Sequence, residues 1–250
     1  RLYGRGACDA KGIAAAMMVA ADRLVQAGEE RVDLLFVVGE ERGSDGARLA
    51  NQLPATSKWL INGEPTESLL ASGCKGAQRV IVRTTGREAH SAYAHLGQSA
   101  ITPMLQMLQE LQQLKLPEDP ILGPSTVNVG LIRGGTEANI VPGACEAEMM
   151  FRLVGDVAEI KKLLKPWAQG RAELEFGSHI PAQHFHTVPG FDTAPMAYTS
   201  DIPLLGNWGK PLLFGPGSIH VAHTPDEYIE ESELRASVES YVKLVKHLIG

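Results

Sequence analysis

Four short segments of the sequence carry side chains that could bind a metal ion. Asp9 lies in Gly-Arg-Gly-Ala-Cys-Asp-Ala-Lys-Gly, Glu40 and Glu41 follow an apolar run, Glu64 lies in Asn-Gly-Glu-Pro-Thr, and His223 lies in Gly-Pro-Gly-Ser-Ile-His-Val-Ala-His-Thr-Pro-Asp-Glu. Carboxylate and imidazole ligands without thiolate suit zinc, cobalt or manganese. In a two-metal hydrolytic centre, a carboxylate can bridge metals that lie roughly 3.5–4 Å apart and hold a water between them. The residue types suit such a centre.

These segments lie between predicted helices and strands. Residues 11–26 and 44–53 are predicted to form helices, whereas residues 32–38 and 58–62 are short apolar runs typical of buried strands. This alternation predicts an α/β layer with a largely parallel sheet. Ligands bind at the carboxyl ends of the strands in such sheets. The two glutamate segments and the His223 segment each follow a predicted strand, so we expect the four candidate ligands at one edge.

Each candidate also has an interpretation without chemistry. Asp9 could be the N-cap of the helix that follows it, the acid pair at 40–41 could simply be solvated, and a lone histidine is more often a surface or core residue. Cys8 has no partner pattern, and we interpret it as a small buried hydrophobic residue. Convergence on one edge favours the metal site, where Glu40, beside a ligand, could accept a proton from the water as general base.

The pattern changes near residue 75. Alternating strands with one polar side are predicted at 78–85, 126–132 and 145–152, helices at 98–114 and 157–168, and a last strand at 173–176. The order β-α-β-β-α-β is the split ferredoxin-like arrangement. After about residue 178, apolar runs typical of buried elements occur again, with a strand predicted at 211–214 and an amphipathic helix at 231–248. We therefore predict an α/β domain of residues 1–74 and 178–250, interrupted by an inserted α+β domain of residues 75–177.

Composition excludes several classes of protein. The 250 residues are 44% hydrophobic and 21% charged with a formal net charge of -6, which predicts a folded core and argues against a nucleic-acid partner. No apolar run approaches the ~18 residues of a membrane-spanning helix. The three cysteines, Cys8, Cys74 and Cys145, are an odd count without close spacing, so we expect a reducing compartment and a cytoplasmic protein.

Six motifs occur in one order along the chain. Besides the four segments above, they include Gly-Arg-Glu-Ala-His-Ser-Ala and Gly-Gly-Thr-Glu-Ala-Asn-Ile-Val-Pro. Together they resemble the co-catalytic zinc family of acetylornithine deacetylase, succinyl-diaminopimelate desuccinylase, aminoacylase and glutamate carboxypeptidase. The final segment is most similar to acetylornithine deacetylase. The resemblance implies a zinc-peptidase-like α/β catalytic domain interrupted by a ferredoxin-like α+β domain.

The resemblance also assigns roles in the metal centre. It implies two divalent metal ions, zinc or alternatively cobalt, with Asp9 as the bridging ligand. Glu41 and His223 would bind one metal and Glu64 the other, with Glu40 as the general base.

Further roles concern the substrate. The resemblance implies that His90 reaches across a homodimer to stabilise the oxyanion of the tetrahedral intermediate. Asn139 and Arg152 would hold the substrate, with Arg152 on its carboxylate, and Gly217 and Ser218 would contact it near the scissile bond. Arg152 also falls on the polar side of its predicted strand, where a guanidinium can form a bidentate pair with a carboxylate.

Two features depart from the family pattern. The family has a further metal-ligand histidine, followed two residues later by an aspartate, upstream of the Gly-Arg-Gly motif, whereas this sequence begins at Arg1. We expect either that upstream residues belong to the protein or that its metal site is incomplete. The stretch 189–215 is also too compact for the helix usual there.

The resemblance implies a hydrolase that cleaves the amide bond of an N-acyl amino acid, with residues 1–74 and 178–250 as its metal-binding catalytic domain and residues 75–177 as its lid or dimerisation domain. Alternatives are a dipeptidase or carboxypeptidase with the same centre, or a non-catalytic binding relative that lacks the first histidine. We expect a homodimer formed through the inserted domain, by the strand edge at 78–85 or the helix at 98–114. No nucleic-acid or membrane partner is expected.

Overall fold

The computed structural model describes all residues from 1 to 250. The chain folds into two compact units. Unit 1 consists of Arg1–Cys74, Gln183–Met196 and Ser200–Gly250. Unit 2 consists of Lys75–Ala182 and Ala197–Thr199. None of the helices is long and apolar enough to cross a membrane.

Thirteen strands and five α-helices follow one another along the chain. The first part contains β1 (Leu2–Tyr3), α1 (Lys11–Gln26), α2 (Asp45–Ala50), β2 (Trp59–Asn62) and β3 (Leu70–Cys74). The middle part contains β4 (Gly76–Thr85), α3 (Ile101–Leu111), β5 (Glu118–Asp119), β6 (Gly123–Pro124), β7 (Thr126–Gly134), β8 (Ala144–Leu153), α4 (Val157–Ala168) and β9 (Glu173–Ile180). The last part contains β10 (Gln183–His184), β11 (Thr193–Met196), β12 (Lys210–Leu213), β13 (Tyr228–Ile229) and α5 (Glu231–Ile249).

The core of unit 1 is formed mainly by α1 and α5 with the strands beneath them. The buried residues of α1 recur every three or four positions, so they lie on one side of the helix: Ile13, Ala16, Ala20 and Leu24. Ala16 and Ala20 are small, so α5 can approach α1 closely. The hydroxyl of Tyr241 on α5 donates a hydrogen bond to the carbonyl oxygen of Phe214 at 2.7 Å. The two helices predicted at the ends of this unit are therefore confirmed.

The strands of unit 1 form several small sheets. β12 pairs in parallel with β2, and β11 pairs in parallel with β3, whose other neighbour β10 is antiparallel. β1 and β13 form an antiparallel pair that joins the two ends of the unit. The expected parallel pairing is present, but β2 is only half-buried along its length. The stretch 189–215 contains two 3₁₀-helices, Ile202–Leu204 and Gly206–Trp208, and no α-helix.

The prediction of a strand at residues 32–38 is wrong. This segment pairs with no strand, and Phe36 and Val38 are 61% and 75% exposed. An apolar run predicts a strand only where neighbouring strands satisfy its backbone N–H and C=O groups. Here the carbonyl oxygen of Val38 accepts a bond from the N–H of Gly46 instead, at 3.0 Å. Glu40 and Glu41 consequently begin a 3₁₀-helix, Glu40–Arg42, rather than follow a sheet strand.

Unit 2 has the predicted β-α-β-β-α-β order. Its four long strands form an antiparallel sheet in the order β7-β8-β4-β9, the ferredoxin-like arrangement. Alternate residues of β8 are buried, which places its apolar side chains against α3 and α4 and its charged ones on the other face. The largest buried residues of this core are Met104, Met107, Met149, Phe151, Leu153, Ile160 and Leu164.

The prediction that residues 78–85 form an exposed edge of the sheet is wrong. These residues lie in β4, which pairs with β8 on one side and with β9 on the other. Alternation reveals which residues form a strand, whereas long-range pairing decides where that strand lies in the sheet. The outer strands are β7 and β9, and α3 keeps an exposed leucine, Leu105, on its outer side.

Candidate metal centre

Three of the predicted metal ligands converge in unit 1. One donor atom each from Asp9, Glu41 and His223 lies within 4.8 Å of the others. Nε2 of His223 is 3.2 Å from Oδ2 of Asp9 and 2.5 Å from Oε1 of Glu41. Two carboxylates and an imidazole in this arrangement are a donor set suited to a divalent metal such as zinc.

Local backbone conformation aims these side chains at one another. Asp9 does not cap α1, because the N-cap position is occupied by Ala10 and the carboxylate of Asp9 faces His223 instead. Glu41 lies on a single 3₁₀ turn between Gly39 and Gly43, whose φ angles of 81° and 92° favour glycine. His223 itself has a φ of 61°, an uncommon conformation for a side chain of this size.

The fourth predicted ligand, Glu64, lies near this group but outside the close cluster. It follows β2, as predicted, and its side chain is buried. Burial raises the pKa of Glu64 well above its usual value, and the charges of Asp9 and Glu40 raise it further. Burial and the charge of Glu41 also raise the pKa of Asp9, against the opposing effect of His223.

The predicted general base, Glu40, has a strongly shifted pKa. Loss of solvent around the carboxyl group, followed by the charges of Asp201, Glu41 and Asp9, raises the pKa of Glu40 to about 7. A carboxylate whose pKa lies near neutrality can both accept and return a proton at physiological pH.

One acidic residue beside the site is not evident from the sequence. Asp201 precedes the 3₁₀-helix Ile202–Leu204, is only 2% exposed, and neither of its carboxylate oxygens has a hydrogen-bond partner. Its charge contributes to the raised pKa of both Glu40 and Glu64. In the sequence, Asp201 reads as a turn or cap residue, and its burial depends on long-range packing. An unpaired buried carboxylate among other acids fits a region built around cations.

The predicted substrate contacts in unit 1 lie against the loop of Asp9. Gly217 has a φ of 84°, and a Cβ there would be only 2.5 Å from Sγ of Cys8, so the backbone approach requires glycine. The hydroxyl of Ser218 donates to Oε1 of Glu67 at 2.8 Å, and its carbonyl oxygen lies 3.4 Å from Sγ of Cys8. Cys8 is fully buried there.

The predicted site residues of unit 2 lie at two ends of its sheet. His90 forms a bridge with Ile140, and the N–H of Ser91 donates to the carbonyl oxygen of Asn139 at 2.8 Å, so His90 and Asn139 are neighbours. Their loops join the sheet at the Ala144 end of β8. Arg152 lies eight residues further along β8, which at ~3.4 Å per residue is roughly 27 Å.

Comparison with known proteins shows which proteins the chain is similar to. Residues 72–173 match the family model described as the peptidase dimerisation domain of M20 peptidases. A peptidase M20 domain-containing protein of Schizosaccharomyces pombe is 39% identical over 254 residues, covering 99% of this chain and 64% of that protein. A protein of Aspergillus flavus named "Probable carboxypeptidase" is 36% identical over 277 residues, covering 98% of this chain and 64% of that protein.

The chain thus spans just under two thirds of the length of these relatives. A solved structure with the same fold is an M20 family metallo-carboxypeptidase from Sulfolobus solfataricus, with a TM-score of 0.72 and 19% identity over 98% of this chain and 77% of that one. The chain has the M20 peptidase fold, and nearly its whole length is similar in sequence to the longer M20 relative from Schizosaccharomyces pombe.

Proposed function

We propose that the protein is a metal-dependent hydrolase that cleaves an amide bond adjacent to a free carboxylate. The observation that carries this proposal is the convergence of Asp9, Glu41 and His223 with Glu40 next to them in sequence. These three donors would hold one divalent cation, and Asp9 together with Glu64 would hold a second. A bound cation of this kind polarises the scissile carbonyl and lowers the pKa of its water.

The protein's own residues then carry the proton. Glu40 accepts a proton from the attacking water and returns it to the leaving nitrogen, so the amide is converted to a carboxylate and an amine. Arg152 would pair with the carboxylate of the substrate, and Gly217 and Ser218 would line the scissile bond. His90 would donate a hydrogen bond to the developing oxyanion, an interaction made chiefly in the transition state.

Two substrate classes fit this chemistry. The name of the Aspergillus flavus relative, at 36% identity, favours cleavage of the last residue of a peptide. The segment from Gly-Pro-Gly-Ser to His-Thr-Pro-Asp-Glu-Tyr resembles acetylornithine deacetylase and favours N-acyl amino acids. Both substrates present an amide and an α-carboxylate to the same residues, and both reactions release a free amine.

A homodimer formed through unit 2 is part of the proposal. His90 and Asn139 lie in loops at the Ala144 end of β8, and Arg152 lies roughly 27 Å from Ala144 along the strand, a distance greater than an amino-acid derivative spans. If all three contact one substrate, two copies of the chain must supply them. The match of residues 72–173 to a dimerisation domain supports this arrangement, with the β7 edge, the β9 edge or α3 as the contact.

Replacing Asp201 by asparagine tests whether the buried acids surround a cation. Asp201→Asn removes an unpaired buried charge at nearly constant volume, so we expect the metal-free protein to gain about 1–3 kcal/mol of unfolding free energy. The gain should shrink in zinc, because a cation offsets the charge of the aspartate. Thermal unfolding with chelator and with zinc measures both. Asp22→Asn, which removes an exposed charge from α1, is the control, and an equal gain with and without zinc would contradict the interpretation.

Stability of the metal-free protein should fall with rising pH. The pKa of Glu40 rises from 4.5 in the unfolded chain to about 7, so the folded state retains a proton that the unfolded state has lost between these values. The contribution of Glu40 to the unfolding free energy is therefore fully present below about pH 4.5 and is lost as the pH rises to about 7. Melting temperatures of chelator-treated wild type and Glu40→Gln should diverge across this range, with the variant favoured at high pH. Parallel curves would show that the pKa of Glu40 is not raised.

A substrate panel tests the reaction itself. We expect release of free amine from dipeptides, from N-acetyl or N-succinyl amino acids, or from both, in the presence of zinc or cobalt, and its loss with chelator. Relative rates at fixed substrate concentration rank the two classes. A protein that binds metal and releases no amine from any member would be a binding relative rather than a hydrolase.

Glu40→Gln separates proton transfer from metal binding. Glutamine cannot take a proton from the water, so we expect turnover to fall by roughly 10²–10⁴ while the bound metal, counted by elemental analysis, stays unchanged. Glu30→Gln changes an exposed glutamate and should leave both quantities at the wild-type level. Normal turnover in Glu40→Gln would remove Glu40 from the mechanism.

A further inference from the structure

A buried glutamate outside the predicted ligand set contacts the loop that carries Asp9. Glu227 is only 1% exposed and lies four residues after His223. Its Oε1 accepts hydrogen bonds from the N–H groups of Cys8 at 3.0 Å and Asp9 at 2.9 Å. Its Oε2 accepts a third from the N–H of Gly6 at 3.0 Å.

Strand pairing brings Glu227 to this loop. Leu2 pairs with Ile229 and Tyr3 with Tyr228 in the β1–β13 ladder, so the next residues, Gly4 and Glu227, come together. The N–H of Gly4 donates to the carbonyl oxygen of Glu227 at 2.9 Å. Nη1 of Arg5 is 3.7 Å from Oε2 of the carboxylate. The loop thus folds around one negatively charged side chain.

These bonds fix the backbone of a residue whose side chain belongs to the metal centre. The N–H of Asp9 is bonded to Glu227, and the carboxylate of the same residue lies 3.2 Å from Nε2 of His223. His223 precedes Glu227 in a single loop, so one carboxylate ties the two ligand-bearing loops to each other. Charge-assisted bonds of this type are stronger than neutral ones, and burial keeps water from replacing them.

We propose that Glu227 is a positioning residue of the metal centre, which holds the Gly6–Asp9 backbone so that Asp9 and His223 face the same cation. Glu227 itself binds neither metal nor substrate. This inference rests on the proposed metal centre. It assigns the alignment of two ligands to a side chain that contributes no donor atom of its own.

The test is Glu227→Gln, which preserves shape but replaces one acceptor oxygen by an NH₂ group that cannot accept from the loop. At least one of the three N–H groups then loses its partner. We expect hydrogen exchange of residues 6–9 to accelerate at least tenfold and the affinity for Co²⁺ or Zn²⁺ to fall roughly 10–100-fold, as for other residues that orient metal ligands. The absorption spectrum of the Co²⁺-loaded protein should change as well.

Two further variants make the result specific. Glu230→Gln, three residues along, removes a partly exposed carboxylate that pairs with Arg1, and it should leave exchange, affinity and spectrum unchanged. Glu227→Asp retains the charge with a shorter reach, and it should recover part of the metal affinity. It also serves as the readout if the glutamine variant fails to fold.

Different outcomes overturn different statements. Faster exchange with unchanged metal affinity and spectrum would make Glu227 a loop anchor only and overturn the positioning role. Unchanged exchange in Glu227→Gln would overturn the anchoring itself. Failure of the wild-type protein to bind Co²⁺ or Zn²⁺ would refute the proposed metal centre, and this inference with it, whatever the exchange of residues 6–9.

Discussion

Loss of solvent around several neighbouring carboxylates is the physical constraint on which the arrangement of unit 1 depends. Asp9, Glu40 and Glu64 all have raised pKa values, and in each case loss of solvent is the largest cause and neighbouring negative charge adds to it. Buried Asp201 contributes charge without a hydrogen bond in return. A group of acids that each favour the neutral form opposes folding at neutral pH unless protons or cations offset the charge. The stability of the metal-free fold therefore does not explain the cluster, whereas the cation of the proposed metal centre would.

The backbone around this cluster is held by contacts that do not draw on the charges of the cluster. A Cβ on Gly215 would lie 2.4 Å from the carbonyl oxygen of Glu64. The segment that follows β12 therefore packs directly against the backbone of Glu64. The N–H of Gly215 donates to Oγ1 of Thr66 at 3.0 Å, which locks the same contact. On the opposite side, burial would raise the pKa of Glu227, but its three N–H bonds and Arg5 lower it, so this glutamate remains an anion and an acceptor. Fixed loops thus keep repelling side chains together.

The sequence predicts those parts of the structure that depend on local patterns. The order of elements in unit 2 follows from periodicity, and the segments of Asp9, Glu41 and His223 follow from residue type and position. The place of β4 inside its sheet depends on pairing with residues 59 to 103 positions away. The apolar run at 32–38 does not indicate which strands, if any, pair with it. In the sequence, Asp201 lies outside all six motifs, and Glu227 ends the His223 motif without an assigned role. Their importance comes from burial and from backbone N–H groups, which only the folded chain brings to them.

The two sets of predicted site residues differ in how the fold brings them together. Asp9, Glu41 and His223 meet within one unit of one chain, so a cation held by these three donors would need no second copy. His90 and Asn139 are neighbours at one end of the unit 2 sheet, whereas Arg152 lies at the other. A ten-residue strand is rigid at this scale, so no loop movement brings these ends onto one small molecule. Under the proposed function, binding of the cation and completion of the substrate site would thus be separate requirements, the first placed within a single chain and the second within an assembly.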